Sequence, residues 1–206
     1  MSTITRLSQQ RKNNRVNVYL DGRFAFGVTL ESALENYLKV GQELSQSKIE
    51  TLRGKDFKDK VFANLINFAS RRPHSQREIL QWFRRKNIPP ELHEDLFNRS
   101  KNAILLNDEE FAKWWVEQRV HFRSSPKKML KLELRQKGIS DEIIEKTLGE
   151  SKALPDVELA RKVLLKKYRK IPELSDLKEK KRVYNFLLRR GFSYLTIKEA
   201  LSEAKS

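Results

Sequence analysis

Apolar residues recur at helical spacing through most of the chain, and one helix–turn–helix pattern occurs three times. The three segments are FRRKNIPPELHEDLF (83–97), LRQKGISDEIIEKTL (134–148) and LLRRGFSYLTIKEAL (187–201), which align without a gap. Their first residues lie 51 and 53 positions apart. A period of this length is typical of repeat architectures, in which each unit buries its apolar face against its neighbours.

The aligned positions have consistent physical roles. The first and sixth positions are apolar, the fifth holds the residue types that adopt positive φ most readily, and the seventh suits the start of a helix. In the order of the repeats these positions are Phe83, Leu134 and Leu187; Ile88, Ile139 and Phe192; Asn87, Gly138 and Gly191; and Pro89, Ser140 and Ser193. The pattern therefore predicts a helix that ends in a left-handed turn and leads directly into a second helix.

An earlier amphipathic segment precedes each of these pairs. The three segments are VFANLINFA (61–69), EFAKWWVEQ (110–118) and ELARKVLLKKY (158–168), all with apolar residues at i, i+3 and i+4. We interpret the aromatic residues on these stripes, such as Trp114 and Trp115, as core residues, with a base-stacking surface as the alternative. Each repeat thus has three predicted helices.

The first 55 residues follow a different pattern. Alternating apolar residues flank Asp21-Gly22 in RVNVYLDGRFAFGV (15–28), which predicts a two-residue β-hairpin. ITRLSQQ (4–10) is a candidate third strand, a helix is expected from about Thr29 to just before Gly41, and SQSKIETL (45–52) predicts one short helical turn. This small α+β region either caps the repeat array or offers a second contact surface.

The sequence therefore predicts a mainly α fold, with three tandem three-helix repeats behind an N-terminal hairpin-and-helix cap. The predicted boundaries are 1–55 for the cap and 56–106, 107–153 and 154–206 for the repeats. RGKD (53–56) and GESKALP (149–155) are the predicted linkers, and KIPELSDLKEKK (170–181) is expected to be a basic, mobile loop.

The charge of the chain indicates a polyanionic partner. The formal net charge is +16, and residues 154–206 alone carry +7. Such an excess attracts polyanions by steering and counterion release, although a merely solvated lysine-rich surface is the alternative. The chain has no cysteine, no secretory h-region and no long apolar run. These features predict a cytoplasmic protein that does not contact the membrane.

Sequence motifs for catalysis are not found. The histidines His74, His93 and His121 are isolated from one another, and we expect them to be surface or boundary residues without a metal. Gly54-Lys55 lacks the first glycine of a P-loop, and Asp108-Glu109-Glu110 is better explained as the first turn of a helix. The sequence predicts no catalytic residue, no cofactor and no metal ion.

Four motifs in order resemble the bacterial RecX family, regulators of the RecA recombinase. They are YLDGRFAFGV (19–28), RRPHSQREILQWFRRKNIP (71–89), LNDEEFAKWWVEQRV (106–120) with KLELRQKGIS (131–140), and FLLRRGFSYLTIKEAL (186–201). The resemblance covers nearly the whole chain. One departure is Asn87-Ile88-Pro89, where the family usually has a glycine and no proline.

The resemblance implies a curved, elongated array that is not an enzyme and binds the RecA filament on single-stranded DNA. There it would limit ATP hydrolysis, strand exchange and co-protease activity, and so control DNA recombination, DNA repair and the SOS response. The alternative is a basic helical-repeat module that binds DNA directly and competes for substrate. Weak direct DNA binding fits both hypotheses, and a monomer is expected because stacked repeats cover their own core.

Basic residues around the repeat helices are the candidate contacts with the filament or with nucleic acid. They are Arg84, Arg85, Lys127, Lys128, Lys131, Arg135, Lys166, Lys167, Arg169, Lys170, Arg189 and Arg190. The alternative explanation is that part of this set only caps helices or solubilises the surface.

Overall fold

The computed structural model describes residues 1–10, 14–102, 106–151, 154–169 and 176–202. Within them the chain is mainly helical, with a small four-stranded sheet near the N-terminus. The chain divides into two compact units, Met1–Phe68 with Ile88–Asn98, and Ala69–Asn87 with Arg99–Ser206. The predicted fold class is confirmed. The repeat boundaries at 55, 106 and 153 and the curved shape stay predictions.

Four antiparallel strands form the sheet of the first unit. They are β1 (Ser2–Gln9), β2 (Arg15–Leu20), β3 (Arg23–Thr29) and β4 (Glu43–Leu44), in the order β3-β2-β1-β4. The predicted turn joins β2 to β3, and both of its residues have positive φ, 50° at Asp21 and 83° at Gly22. β1 confirms the third strand, whereas β4 is too short to leave an alternating pattern in the sequence.

The apolar alternation of the hairpin predicts its core with one exception. Val16, Val18 and Phe26 are buried, but Phe24 is 60% exposed. The register shifts between the pairs Val18–Phe26 and Tyr19–Phe24, so β3 has one more residue than β2 at this point. A bulge of this kind reverses the side-chain alternation. It places Phe24 against Tyr19, with ring centroids 5.9 Å apart.

The helices of the cap differ from the expectation in length. Helix α1 (Leu30–Glu35) begins after its N-cap Thr29, as predicted, but ends well before Gly41. Helix α2 (Gln46–Ala69) is a single helix of 24 residues, so the expected short turn at 45–52 and the linker at 53–56 are both wrong. Tertiary contacts offset the helix-breaking tendency of Gly54, because Leu52 is buried and Asp56 forms a buried ion pair with Arg15.

The remaining helices follow the predicted repeat. They are α3 (Gln76–Arg85), a 3-10 turn (Pro90–Leu92) with α4 (His93–Asn102), α5 (Asp108–Arg123), α6 (Lys127–Gln136), α7 (Asp141–Glu150), α8 (Asp156–Tyr168), α9 (Leu177–Leu188) and α10 (Tyr194–Ser202). The turns have φ of 51° at Asn87, 83° at Gly138 and 91° at Gly191, as the fifth aligned position predicts. The first and sixth aligned positions are buried in all three repeats.

Three further expectations have mixed outcomes. The predicted loop at 170–181 is wrong for its last part, because α9 begins at Leu177 after the N-cap Asp176, while residues 170–175 lie outside the described residues. The predicted linker at 149–155 is shorter than expected, since α7 continues to Glu150. The aromatic stripe of α5 does pack against the core, with Phe111 fully buried and Trp114 and Trp115 half-buried.

Successive repeats of the second unit are joined by the ends of their helices. A Cβ on Gly138, in the turn after α6, would lie 2.9 Å from Cβ of Arg77 in the first turn of α3. A Cβ on Gly191, after α9, would lie 3.2 Å from Cβ of Met129 in the first turn of α6. In both interfaces the C-terminal end of one helix therefore meets the N-terminal end of the equivalent helix in the preceding repeat, an arrangement that suits their dipoles.

The first helix of each following repeat caps the same junction. Asp108 Oδ1, at the start of α5, accepts a hydrogen bond of 2.9 Å from the backbone N–H of Gln76 in α3. Asp156 Oδ1, at the start of α8, accepts one of 3.1 Å from the backbone N–H of Lys127 in α6. Each aspartate satisfies a helix N-terminal donor that the helix itself leaves free.

Candidate functional site

A cleft of about 610 Å³ between the second and third repeats is the candidate site. Its walls are the last turn of α5 with the following turn, one face of α6, the C-terminal half of α8 and the end of α9. We call it the basic cleft because six cationic side chains line it: Arg123, Lys162, Lys166, Lys167, Arg189 and Arg190. Helical spacing aligns two of them, since Lys166 follows Lys162 by about one turn on α8.

The electrostatics of the basic cleft are strongly positive. Glu133 is the one acidic residue among its described lining residues, and its Oε2 already accepts hydrogen bonds from Arg119 Nε at 2.7 Å and Trp115 Nε1 at 2.8 Å. Within the described ranges, none of the six cations of the cleft forms an ion pair with a carboxylate. Uncompensated cations in a concave site concentrate the positive potential and attract anions.

Aromatic rings accompany these cations. Lys167 Nζ lies 3.7 Å from the ring centroid of Phe186, and Arg190 Cζ lies 4.8 Å from the same centroid. Phe122 at the end of α5 is 67% exposed and packs edge-on against His121. The cleft thus combines cations with one exposed aromatic face, the composition of sites that bind single-stranded nucleic acid.

The structure brings together four of the twelve predicted contact residues: Lys166, Lys167, Arg189 and Arg190. Three others, Lys128, Lys131 and Arg135, line a separate pocket of about 440 Å³ beside Leu132. Two of these are neutralised, because Lys131 pairs with Glu145 at 2.5 Å and Arg135 pairs with Asp141 at 2.7 Å. The predicted set therefore does not form one continuous site.

The other predicted contacts lie at helix ends. Arg84 and Arg85 are exposed in the last turn of α3, and Lys127 is the first residue of α6. Arg169 is the left-handed C-cap of α8, with φ of 61°. Lys170 lies outside the described residues. Their predicted role in binding stays a prediction.

Sequence reasoning missed Arg123 and Lys162 of the basic cleft. Lys162 could have been found, because it precedes Lys166 by one helical turn on α8. For Arg123 the sequence gives a weaker indication, namely that an arginine, Arg72, stands at the equivalent position of the preceding repeat, 51 residues earlier. Arg123 stands in no charge cluster of the sequence, so only the tertiary structure places it in the cleft beside Arg190.

The preceding interface, between the first and second repeats, contains a buried carboxylate. Glu78 is 7% exposed, and its carboxylate lies 2.7 Å from Arg72 Nη1, 2.7 Å from Lys137 Nζ and 3.0 Å from His74 Nδ1. Burial alone would raise the pKa of Glu78, but hydrogen bonds from His74, Arg72 and Lys137 outweigh it and hold the pKa well below its usual range. The expectation that His74 is a surface or boundary residue is wrong, since it is buried against Glu78.

Comparison with known proteins decides the family. Family models of the RecX N-terminal domain, the second RecX three-helix domain and the third RecX three-helix domain match residues 2–45, 107–148 and 155–201. The regulatory protein RecX of Bacillus pumilus is 33% identical over 99% of this chain and 78% of its own length. This chain belongs to the RecX family. The regulatory protein RecX of Bacillus subtilis is 31% identical over 98% of this chain and 77% of its own.

Solved RecX structures share the fold. A crystal structure of regulatory protein RecX superposes with a TM-score of 0.72, at 24% identity over 98% of this chain and 100% of that chain. RecX from Lactobacillus salivarius gives a TM-score of 0.59 over 73% of this chain and 97% of its own, again at 24% identity. None of the helices in the described part of the chain has the length and apolarity needed to cross a membrane.

Proposed function

We propose that this RecX protein is a non-enzymatic regulator that binds the RecA filament on single-stranded DNA and inhibits its ATPase, strand-exchange and co-protease activities. By doing so it controls recombination, DNA repair and the SOS response in the cytoplasm. The observation that carries the proposal is the basic cleft in a chain whose relatives are named regulatory proteins. A nucleoprotein filament presents the polyanion that such a cleft attracts.

The deciding experiment is a titration of the cognate recombinase with this protein, with DNA-dependent ATP hydrolysis as the signal. The same single-stranded DNA without recombinase is titrated in parallel by fluorescence anisotropy. We expect inhibition at protein concentrations well below those that coat the bare DNA. Full ATPase activity at concentrations that saturate the filament would contradict the proposal.

Direct DNA binding is the second candidate function, favoured by the cations of the basic cleft, which have no carboxylate partner among the described residues. In that case inhibition would appear only when the DNA itself is saturated, because the protein would compete with the recombinase for its substrate. The two titrations separate these functions, since the first requires the filament and the second requires only the DNA.

A further inference from the structure

The two interfaces between repeats can be compared residue by residue. Helices α3 and α6 both have ten residues and begin 51 positions apart, so the repeat alignment extends through them without a gap. Arg72 then corresponds to Arg123, and Glu78 corresponds to Met129. Lys137, in the turn after α6, corresponds to Arg190, in the turn after α9.

The comparison shows that both cations are kept while the anion between them is replaced. In the first interface the Glu78 carboxylate contacts both Arg72 and Lys137 at 2.7 Å. In the second interface Arg123 and Arg190 line the basic cleft together with Met129, a side chain that cannot neutralise them. The one carboxylate among the described lining residues, that of Glu133, is held by Arg119 at 2.7 Å and by Trp115 at 2.8 Å. The like charges gathered in the cleft therefore repel each other without a carboxylate of their own, and this interface is electrostatically incomplete.

The contacts of Phe186 also indicate that the cleft would accept an anion. Lys167 and Arg190 both lie against the ring of Phe186, at 3.7 and 4.8 Å from its centroid. Two cations on one ring share its weak attraction while repelling each other. An anion that contacts both cations would relieve that repulsion.

We propose that the basic cleft binds a backbone phosphate of single-stranded DNA, in the position that the Glu78 carboxylate occupies in the preceding interface. The inference rests on the proposed function for the presence of that strand. Phe122 favours a single strand over a duplex, because its exposed ring lines the cleft and can stack on an unpaired base, whose faces are covered inside a duplex. The replacement of a carboxylate by Met129 is therefore the feature that opens the second interface to DNA.

The critical variant is Met129→Glu, which supplies the missing carboxylate from within the protein. Binding is measured by anisotropy of a fluorescein-labelled oligothymidine, without recombinase, across a range of salt concentrations. We expect Met129→Glu to weaken binding about tenfold and to flatten the slope of log K against log salt by about 0.7 for each phosphate that the protein no longer neutralises. Met129→Gln, of the same size but neutral, should bind within about twofold of the wild type.

Folding is checked by thermal unfolding followed by circular dichroism, and Phe122→Ala provides a second variant at an exposed position. Phe122→Ala should weaken oligothymidine binding about fivefold or more and leave binding of a duplex of the same length unchanged. Met129→Glu that is folded and binds like the wild type would overturn the inference. So would equal weakening by Met129→Gln, or displacement of the oligothymidine by poly-L-glutamate as effective as by unlabelled DNA.

These outcomes are separable from those of the recombinase titration. If Met129→Glu binds oligothymidine like the wild type while the wild type inhibits the recombinase, the cleft inference fails and the regulatory function stands. If the wild type leaves the recombinase unaffected but Met129→Glu weakens oligothymidine binding as expected, the cleft inference stands and the regulatory function fails.

Discussion

At the scale of single residues, the ionisation of the buried Glu78 carboxylate depends on contacts with side chains from distant positions of the chain. Glu78 holds Arg72, His74 and Lys137 around one carboxylate, and Lys137 comes from the following repeat, 59 positions away. Removing one member of a buried ion pair is expensive, because the remaining charges stay desolvated. Glu78 therefore stabilises the interface of the first two repeats.

Replacing Glu78 by Gln at neutral pH is expected to lower the free energy of unfolding by about 3 kcal/mol. Folding lowers the pKa of this carboxyl, so its stabilisation is fully present above the unfolded pKa near 4.5 and is lost progressively as the pH falls from there to the lower folded pKa. The difference between wild type and variant should thus shrink in acid. Urea unfolding of both proteins at about pH 7 and about pH 3 measures it.

Glu142→Gln is the control for this prediction, because Glu142 is an exposed acid in the first turn of α7. It should change the free energy of unfolding by less than about 0.5 kcal/mol. A destabilisation by Glu78→Gln that is the same at both pH values would show that packing and not charge is responsible.

At the scale of elements, the C-terminal end of α6 packs against the N-terminal end of α3, and the C-terminal end of α9 packs against the N-terminal end of α6. Gly138 serves this junction twice: its φ of 83° ends α6, and its missing side chain lets the turn approach Arg77. Gly191, in the turn after α9, has the same two roles: its φ is positive, and its missing side chain lets the turn approach Met129 of α6. At both junctions the turn therefore packs against a side chain so closely that an added Cβ would displace its neighbour.

Gly138→Ala is expected to lower the free energy of unfolding by about 1–3 kcal/mol, because it combines a strained positive φ with a Cβ only 2.9 Å from that of Arg77. Gly149→Ala in α7 is the matched control, since no heavy atom lies within 4 Å of its added Cβ. That substitution should leave stability unchanged or raise it by up to about 1 kcal/mol. Equal stability of the two variants in urea would contradict the proposed role of the junction.

At the scale of the whole molecule, the formal charge of +16 is less informative than its distribution. Part of it lies in ion pairs, as at Lys131 and Arg135, and part is gathered in the basic cleft on side chains without carboxylate partners in the described ranges. The cations gathered in the basic cleft are the ones available to replace the counterions of a polyanion. The location of a charge, and not its sign alone, decides whether it contributes to the attraction of a polyanion.

Charge reversal of Lys166 and Lys167 to Glu should weaken binding to the RecA filament and flatten its salt dependence, because both side chains line the basic cleft. Reversal of Lys178 and Lys180 changes the net charge equally on exposed positions in the first turn of α9, where acidic side chains suit the helix dipole. Filament binding measured over a salt series should be nearly unchanged for this control. An unaltered salt slope for Lys166→Glu/Lys167→Glu would remove the cleft from the binding surface.

The sequence by itself determined the local structure: the hairpin at Asp21-Gly22, the repeat period, and the turns at Asn87, Gly138 and Gly191. These features depend on the φ preferences of single residues and on short-range apolar periodicity, which are visible without a fold. It also indicated the RecX family and a basic partner surface. It did not predict the continuity of α2 through Gly54, which depends on contacts with the sheet.

Only the tertiary structure decided which cations act together. Lys131 and Arg135 stand in a basic segment of the sequence, yet Glu145 and Asp141 neutralise them. Arg123 stands outside any cluster, yet it joins Arg190 in the cleft. Ion pairs form between residues that are 3 to 59 positions apart along the chain, and burial sets their strength. A charge count along the sequence contains neither quantity, so the candidate site becomes visible only once the repeats are packed.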